Sequence, residues 1–204
     1  EIFDIVKKKL IPEFAKTHNN KILEHKKAEA DDCIALGIRY LRNKKKSDVP
    51  IWIVASDTDY LQICDAKTHL IDLKQKQIDQ KHLIEPKITK ADYLLNKLLV
   101  GDVSDNIPAC HLVPDKLEEL NTTYELKIRK NKTNTFKITK SIASKLLEHD
   151  TIKTLLFNFM KDKSNSDTKE KLFFLNLKQF TFNQNMIDFS YIPKTIETHI
   201  YGMM

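Results

Sequence analysis

A continuous apolar run, Ile51-Trp-Ile-Val-Ala55, limits the folds open to this chain of 204 residues more than any other segment. An uninterrupted run of about four to eight apolar residues is typical of a strand buried in a parallel sheet. The sequence predicts a second strand at 69–73, preceded by one amphipathic helix that ends near Pro12 and another over 28–41. This order predicts an α/β domain in which helices flank a parallel sheet.

After the second strand and a polar connection over 75–88, the sequence pattern predicts helices, and beyond Pro108 it predicts only helices. Residues 89–99 carry one amphipathic helix, and two more are expected over 138–148 and 151–161. Residues 162–170 are polar and predict an exposed loop. Aromatic and polar residues alternate in the remaining tail, so we expect this tail to pack back on a core.

Glycine is scarce, and its scarcity excludes two classes of nucleotide-binding protein. The chain has three glycines, none of them spaced to form G-x-G-x-x-G or G-x-x-x-x-G-K-[ST]. A glycine-rich dinucleotide loop and a P-loop are therefore excluded. If the protein binds phosphate, it must do so with metals, basic side chains or helix N-termini.

The sequence gives no indication of a membrane or a secretory pathway. It contains neither an apolar run long enough to span a bilayer nor a signal peptide, so no membrane partner is expected. The three cysteines are scattered without C-x-x-C spacing, which predicts reduced thiols and no zinc site. We expect an intracellular protein of the cytoplasm or, if viral, of a host-cell replication site, with the nucleus left open.

Basic side chains concentrate in one stretch, residues 121–147. This stretch contains seven basic side chains and one acidic one, so it accounts for the whole formal net charge of +6. A localised basic patch indicates a polyanionic partner, although a solvated lysine-rich loop would have the same composition.

Acidic side chains form three clusters, at Glu29-Ala-Asp-Asp32, Asp57-Thr-Asp59 and Gly101-Asp-Val-Ser-Asp-Asn106. Each cluster taken alone has a structural explanation, because acids cap helix N-termini and form turns. Taken together they indicate a cleft beyond the carboxyl end of the first strand, where α/β sheets bind ligands. So many carboxylates in one cleft require cations, and oxygen-only ligands select magnesium or manganese.

These motifs, together with Asp92-Tyr-Leu and the continuation to Ile107-Pro108, closely resemble the flap endonuclease/5′–3′ exonuclease family. The family includes bacteriophage 5′ nucleases and the nuclease domain of bacterial DNA polymerase I. All three motifs occur in the family's order, over about residues 1–110. The run Met186-Ile-Asp-Phe-Ser-Tyr-Ile-Pro193 is also similar to the tail of relatives in large DNA viruses.

The resemblance implies a PIN-like parallel sheet flanked by helices and followed by a helical DNA-binding hairpin region. It implies hydrolysis of DNA phosphodiesters with two Mg²⁺ ions, Mn²⁺ being able to substitute, in replication, repair or recombination. The catalytic ligands of the first ion would be Glu29, Asp31, Asp57 and Asp59, with Asp57 or Asp59 shared between the two ions. The ligands of the second ion would be Asp32, Asp102 and Asp105. The partner would be flapped, nicked or gapped duplex DNA, bound by a monomer.

The same resemblance divides the chain into three parts. Residues 1–107 would be the C-terminal part of the catalytic domain, 108–161 a helix-hairpin-helix-like DNA-binding region with a basic insertion, and 162–204 an extension packed on the catalytic domain. Family members carry further aspartates and a basic helical arch in segments that would precede Glu1. This fragment alone is therefore expected to be inactive or badly impaired.

The DNA-binding region departs from the family pattern. Relatives have a glycine-rich turn after Asp-Asn-Ile-Pro, whereas Cys110-His-Leu-Val-Pro114 has no glycine and is followed by an insertion of about 20 residues. Our hypothesis is that basic side chains replace part of the lost backbone contact to phosphate. The predicted DNA-binding residues are Lys127, Arg129, Lys130, Lys132, Lys137, Lys140, Ser141 and Lys145.

Two other functions are compatible with parts of this sequence. An aspartyl phosphatase also places D-x-D after an apolar strand, but the position occupied by Leu61 is normally threonine or valine, and the other acidic clusters would be unexplained. A non-catalytic DNA-binding relative would keep the acids only as helix caps. Because every family acid expected in this span is present, the sequence favours the nuclease.

Overall fold

The computed structural model describes residues 2–17, 20–129 and 136–204. By packing, the chain divides into two compact units. The first unit consists of Glu1–Gln75 and Ile192–Met204, and the second of Lys76–Tyr191. These units do not test the three-part functional division, which stays a prediction.

The sheet of the first unit confirms the predicted α/β class. Strands β1 (Ile51–Val54) and β2 (Thr68–Ile71) pair in parallel, with Ile51 opposite Thr68 and Val54 opposite Ile71. The prediction that the first strand is buried holds for one face only. Successive side chains point to opposite faces, so Ile53 is 4% exposed whereas Trp52 is 53% exposed.

The N-terminal helical segment is longer than the sequence predicts. Helix α1 (Ile2–Ile5), a π-helical turn over Val6–Leu10 and helix α2 (Ile11–Lys16) follow one another without a break. The helix therefore does not end near Pro12. This proline lies in the first turn of α2, directly after the π-helical turn.

Two helices from opposite ends of the first unit share a core. Helix α3 (Ala30–Asn43) packs against the C-terminal helix α10 (Lys194–Met203). Their contact buries Leu36 and Ile200, which are both 0% exposed. The edge-to-face contact of Tyr40 with Tyr201, at 5.1 Å between ring centroids, extends the same interface.

Arg42 fixes the strands relative to the end of α3. Its guanidinium donates to the carbonyl oxygens of Ser47 at 2.9 Å and Val49 at 2.8 Å, in the loop that leads to β1. It also donates to the carbonyl oxygen of Lys67 at 2.7 Å and to the hydroxyl of Thr68, where β2 begins. Four hydrogen bonds from one rigid fork thus hold both strand starts.

The second unit is helical in its described residues, apart from isolated β-bridges. Its helices are α4 (Lys90–Val100), α5 (Leu117–Thr123), α6 (Lys140–Glu148), α7 (Asp150–Lys161), α8 (Ser166–Lys171) and α9 (Leu177–Ile187). Helices α4, α6 and α7 match the predicted ones within two residues. Helix α8 corrects the predicted loop at 162–170, since Asn165 caps it by accepting the N–H of Thr168 at 2.9 Å. None of the described helices has the length and apolar character needed to cross a membrane.

A buried amide joins the elements of the second unit. Asn183 of α9 is 0% exposed, and its Nδ2 donates to the carbonyl oxygens of Leu98 at 2.8 Å and Pro108 at 2.9 Å. Its Oδ1 accepts from Gln179 at 2.8 Å. This one side chain therefore supplies hydrogen-bond donors to a carbonyl near the end of α4 and to a carbonyl just after the third acidic motif.

Candidate metal centre

Asp57 and Asp59 lie just beyond the carboxyl end of β1. The strand ends at Val54, and a 3₁₀ turn over Thr58–Ile63 follows it. Oδ1 of Asp57 accepts the N–H of Asp59 at 2.8 Å, so Asp57 caps this turn. One of the two carboxylate oxygens of Asp57 therefore acts as a helix cap, as the structural explanation of this acidic cluster expects.

The acids at the start of α3 also make capping contacts. Oδ2 of Asp32 accepts the N–H of Glu29 at 3.1 Å, and Oδ1 of Asp31 accepts the N–H of Asp32 at 2.8 Å. Glu29 occupies the position that caps the helix. These contacts use backbone N–H groups that would otherwise lack a partner in the first turn.

The capping contact of Asp31 does not account for the pKa of its carboxyl. Burial raises the pKa of this carboxyl above its usual range, and the negative charges of Asp32 and Asp57 raise it further. These effects outweigh the N–H of Asp32, which acts to lower the pKa. The fold therefore brings together acids of α3 and of the turn after β1, which are separate elements of the first unit.

Tyr60 adjoins the same acids and was not predicted from the sequence. It is 4% exposed, and burial together with the charges of Asp31 and Asp57 raises the pKa of its phenol to about 12. The phenol therefore stays protonated at neutral pH and adds no negative charge. Its position one residue after Asp59 in the second motif was the available signal.

The third acidic motif forms a closed turn in the second unit. The N–H of Asp102 donates to the carbonyl oxygen of Ile107 at 2.9 Å, and the N–H of Ile107 donates back at 2.7 Å. Gly101 enters the turn with φ +70°. A Cβ at Gly101 would lie 2.4 Å from the carbonyl oxygen of Ile107, so the turn requires glycine there.

Asp102 has a cationic partner within its own unit. Nζ of Lys97 lies 2.8 Å from its carboxylate, and Ser104 donates to the same carboxylate from its N–H at 2.9 Å and from its hydroxyl. Although burial acts to raise it, the pKa of Asp102 is lowered to about 2 by these partners. Asp105 is exposed in the same turn. The prediction that these acids share a cleft with those of α3 involves both units and stays a prediction.

The predicted DNA-binding side chains lie on and beside α6. Those within the described residues are all exposed: Lys127, Arg129, Lys137, Lys140, Ser141 and Lys145. Lys130 and Lys132 fall outside the described residues. Helix α6 begins at Lys140, where the hydroxyl of Thr139 accepts the N–H of Ile142 at 3.4 Å.

The acids of the first unit fit a hard divalent cation. Their donor atoms are carboxylate oxygens, the ligands that Mg²⁺ and Mn²⁺ favour. Burial and the nearby charges of Asp32 and Asp57 raise the pKa of Asp31, and a bound cation would offset the cost of ionising this carboxyl.

Comparisons with known proteins show what the sequence and the fold are similar to. Residues 5–90 match the family model described as the N-terminal resolvase-like domain of 5′-3′ exonucleases. Among solved structures, the chain is similar to a mutant T5 5′-exonuclease, with a TM-score of 0.50 and 12% identity over 85% of this chain and 64% of that one. It is also similar to a T5 protein co-crystallised with metal ions, with a TM-score of 0.51 and 12% identity over 88% and 59% of the two chains. No curated protein matches the chain.

The fold therefore resembles that of the T5 exonuclease, a mostly helical α/β fold with a small parallel sheet. The family match over residues 5–90 and the similar fold support the resemblance to the flap endonuclease/5′–3′ exonuclease family that the motifs indicate. It spans less than two thirds of the length of either T5 protein.

Proposed function

We propose that the chain carries metal-binding acids of a structure-specific 5′ nuclease, a flap endonuclease or 5′–3′ exonuclease that hydrolyses DNA phosphodiesters with two divalent ions. The observation that carries this proposal is that Asp31 is half-buried and lies within reach of the negative charges of Asp32 and Asp57, which come from two separate elements. Helix caps need no such crowding. A site for cations does, because converging carboxylates are its ligands.

The ligand sets follow the family motifs. One ion, Mg²⁺ with Mn²⁺ as a substitute, would be held by Glu29, Asp31, Asp57 and Asp59. The other would be held by Asp32, Asp102 and Asp105. When bound, the pair would stabilise charge on the attacking and leaving oxygens of the phosphodiester.

The protein's own contacts orient these ligands. The cap from Asp57 to the N–H of Asp59 and the contact from Asp31 to the N–H of Asp32 each restrain one carboxylate oxygen. The protonated phenol of Tyr60 can donate a hydrogen bond beside Asp31 and Asp57 without adding repulsion. The acids are thereby held in position before any ion binds.

The proposed partner is DNA with a flap, nick or gap, bound by a monomer during replication, repair or recombination. The exposed basic residues around α6 support this, because lysine and arginine side chains bind the phosphate backbone without regard to sequence.

One alternative has specific support. The capping contacts of Asp57 and Asp32 are those expected of a non-catalytic DNA-binding relative that keeps its acids for folding. The Asp57→Asn variant separates the two functions, because the amide oxygen of asparagine can still accept the N–H of Asp59. The cap is kept while the anionic ligand is lost.

The experiment is cleavage of a 5′-flap DNA by the whole protein with Mg²⁺. We expect cleavage that EDTA abolishes and that Asp57→Asn abolishes, and no effect of Asp65→Asn, the same change at an exposed turn of the first unit. Cleavage that survives EDTA would reject the two-metal mechanism. Equal cleavage by the Asp57→Asn variant would exclude Asp57 as a ligand.

A further inference from the structure

The amide side chain of Asn121 pairs with both backbone polar groups of one residue of the insertion. Its Nδ2 donates to the carbonyl oxygen of Ile128 at 2.7 Å, and its Oδ1 accepts the N–H of Ile128 at 2.9 Å. The backbone carbonyl of Asn121 also accepts the N–H of Leu126 at 2.9 Å. One residue near the middle of α5 thus makes three hydrogen bonds to the segment that leads into the basic residues.

Ile128 is anchored by its side chain as well. It is 3% exposed and belongs to the core of the second unit, whereas Lys127 and Arg129 on either side of it are exposed. Nζ of Lys145 on α6 donates to the carbonyl oxygen of Lys127 at 3.1 Å. The backbone that carries these two cations is therefore tied to α5, to α6 and to the core.

The returning side of the insertion is fixed too. The N–H of Leu112 donates to the carbonyl oxygen of Phe136, and the N–H of Ile138 donates to that of Cys110, both at 2.8 Å. Lys137 lies between these bonds and is exposed. Lys127 and Arg129 before the undescribed residues, and Lys137 after them, are therefore carried by backbone segments that hydrogen bonds hold in place.

The positions of the ammonium groups matter because the cavity beside Lys127 carries no net charge, although the stretch 121–147 as a whole is basic. Lys127 and Lys145 line a cavity of about 630 Å³ together with Glu125 and Glu148. Two lysines and two glutamates leave no net charge in this cavity. A phosphate is then attracted only if the ammonium groups are held closer to it than the carboxylates are.

We propose that Asn121 is a positioning residue for nucleic-acid binding, which holds Lys127 and Arg129 where they meet the phosphates of duplex DNA. This inference rests on the proposed function. Asn121 itself carries no charge and contributes none of the counterion release that accompanies phosphate binding. It acts by restraining the residues that do, so that less of their freedom is lost on binding.

The test is a double-mutant cycle on duplex affinity over a range of salt concentrations, using this chain and the variants Asn121→Ala, Lys127→Ala and the pair. Asn121→Ala should weaken binding roughly threefold to tenfold with an unchanged salt slope. Lys127→Ala should weaken binding and lower the slope by about one. Because Asn121 acts through Lys127 and Arg129, the two substitutions should not be additive. The double variant should lose less binding free energy than the sum of the losses of the two single variants.

The control is Thr122→Ala, an exposed neighbour on α5 whose hydroxyl bonds within the helix to Glu118. It should leave affinity and slope unchanged, and circular dichroism would set a temperature at which all variants are folded. Equal affinity of Asn121→Ala and Thr122→Ala, or strictly additive losses, would overturn the inference alone. Absence of duplex binding by the unaltered chain would overturn the proposed function and the inference with it.

Discussion

Nζ of Lys97 lies 2.8 Å from a carboxylate oxygen of Asp102, at the point where α4 passes into the third acidic motif. Both side chains are mostly buried, with 13% and 15% of their surfaces exposed. Asp102 thus has its counter-charge within the second unit, whereas the pKa of Asp31 in the first unit is raised by burial and by its acidic neighbours. The family acids are therefore in two different electrostatic states in the metal-free chain.

The ion pair of Lys97 should make stability depend on pH. The pKa of Asp102 in the folded chain is lowered to about 2, so its stabilising effect is present above its ordinary pKa of 3.8 and is lost as the pH falls through about 2. Lys97→Met should lower the free energy of unfolding by about 1 kcal/mol at neutral pH, allowing for solvent screening. Urea titrations in EDTA should show this difference shrinking towards pH 2. Lys90→Met, at an exposed site on α4, should show no difference at either pH.

Gly101 and Gly202 offer a matched pair of glycine substitutions. Gly101→Ala places a Cβ 2.4 Å from a backbone oxygen at φ +70°, so it should destabilise the chain by about 3 kcal/mol or more or prevent folding. Gly202 lies in α10 with open space around its Cβ position. Gly202→Ala should therefore be neutral or stabilise by up to about 1 kcal/mol. Thermal unfolding checks both, and equal effects would contradict the described turn.

Asn183→Leu should remove a polar link of the second unit while keeping the number and branching of the side-chain heavy atoms. The carbonyl oxygens of Leu98 and Pro108 would lose their bonds to the amide, at a cost of about 2–4 kcal/mol in unfolding free energy. Asn185→Ala, at an exposed site on the same helix, should change stability by less than about 0.5 kcal/mol. Urea denaturation of both variants measures the difference. A loss at Asn183 no larger than at Asn185 would show that the amide does not connect α4 and α9.

Asp31→Asn should stabilise the metal-free chain. The pKa of Asp31 is raised in the folded state, so its ionised form destabilises the fold at neutral pH, and an amide removes that cost. The amide oxygen can still accept the N–H of Asp32. We expect a higher melting temperature in EDTA together with a loss of stabilisation by added Mg²⁺. A lower melting temperature in EDTA would contradict the crowding of carboxylates.

The sequence predicts those elements that depend on local pattern. The apolar run gives β1, and helical periodicity gives α3, α4, α6 and α7, because burial on one face requires this spacing. The three acidic motifs are visible for the same reason, since each is a short contiguous segment. Helix α8 is missed because its six residues, Ser166–Lys171, are all polar and form no apolar stripe, so that the cap at Asn165 is the local sign of its start.

Other features depend on contacts between distant residues and have no local pattern. Asn183 lies 85 positions from Leu98, and Arg42 lies 25 positions from Lys67. The sequence shows that asparagine and arginine stand at these positions, but it does not show which distant groups they hydrogen-bond to. Nothing in the sequence distinguishes Lys97 from other helix lysines. Its ion pair forms because the turn at Gly101 places Asp102 beside it. The sequence therefore identifies the acids, and the fold decides which of them are paired.

The central claim, that acids of α3 and of the turn after β1 form a divalent-metal site, is tested most directly by calorimetric titration of Mn²⁺ into the chain and into its Asp57→Asn and Asp65→Asn variants. We predict saturable binding by the chain and by Asp65→Asn. Asp57→Asn should bind more weakly by roughly tenfold or more, equivalent to about 1.4 kcal/mol of binding free energy. Equal binding by the chain and the Asp57→Asn variant, or no saturable binding by the chain, would contradict the claim.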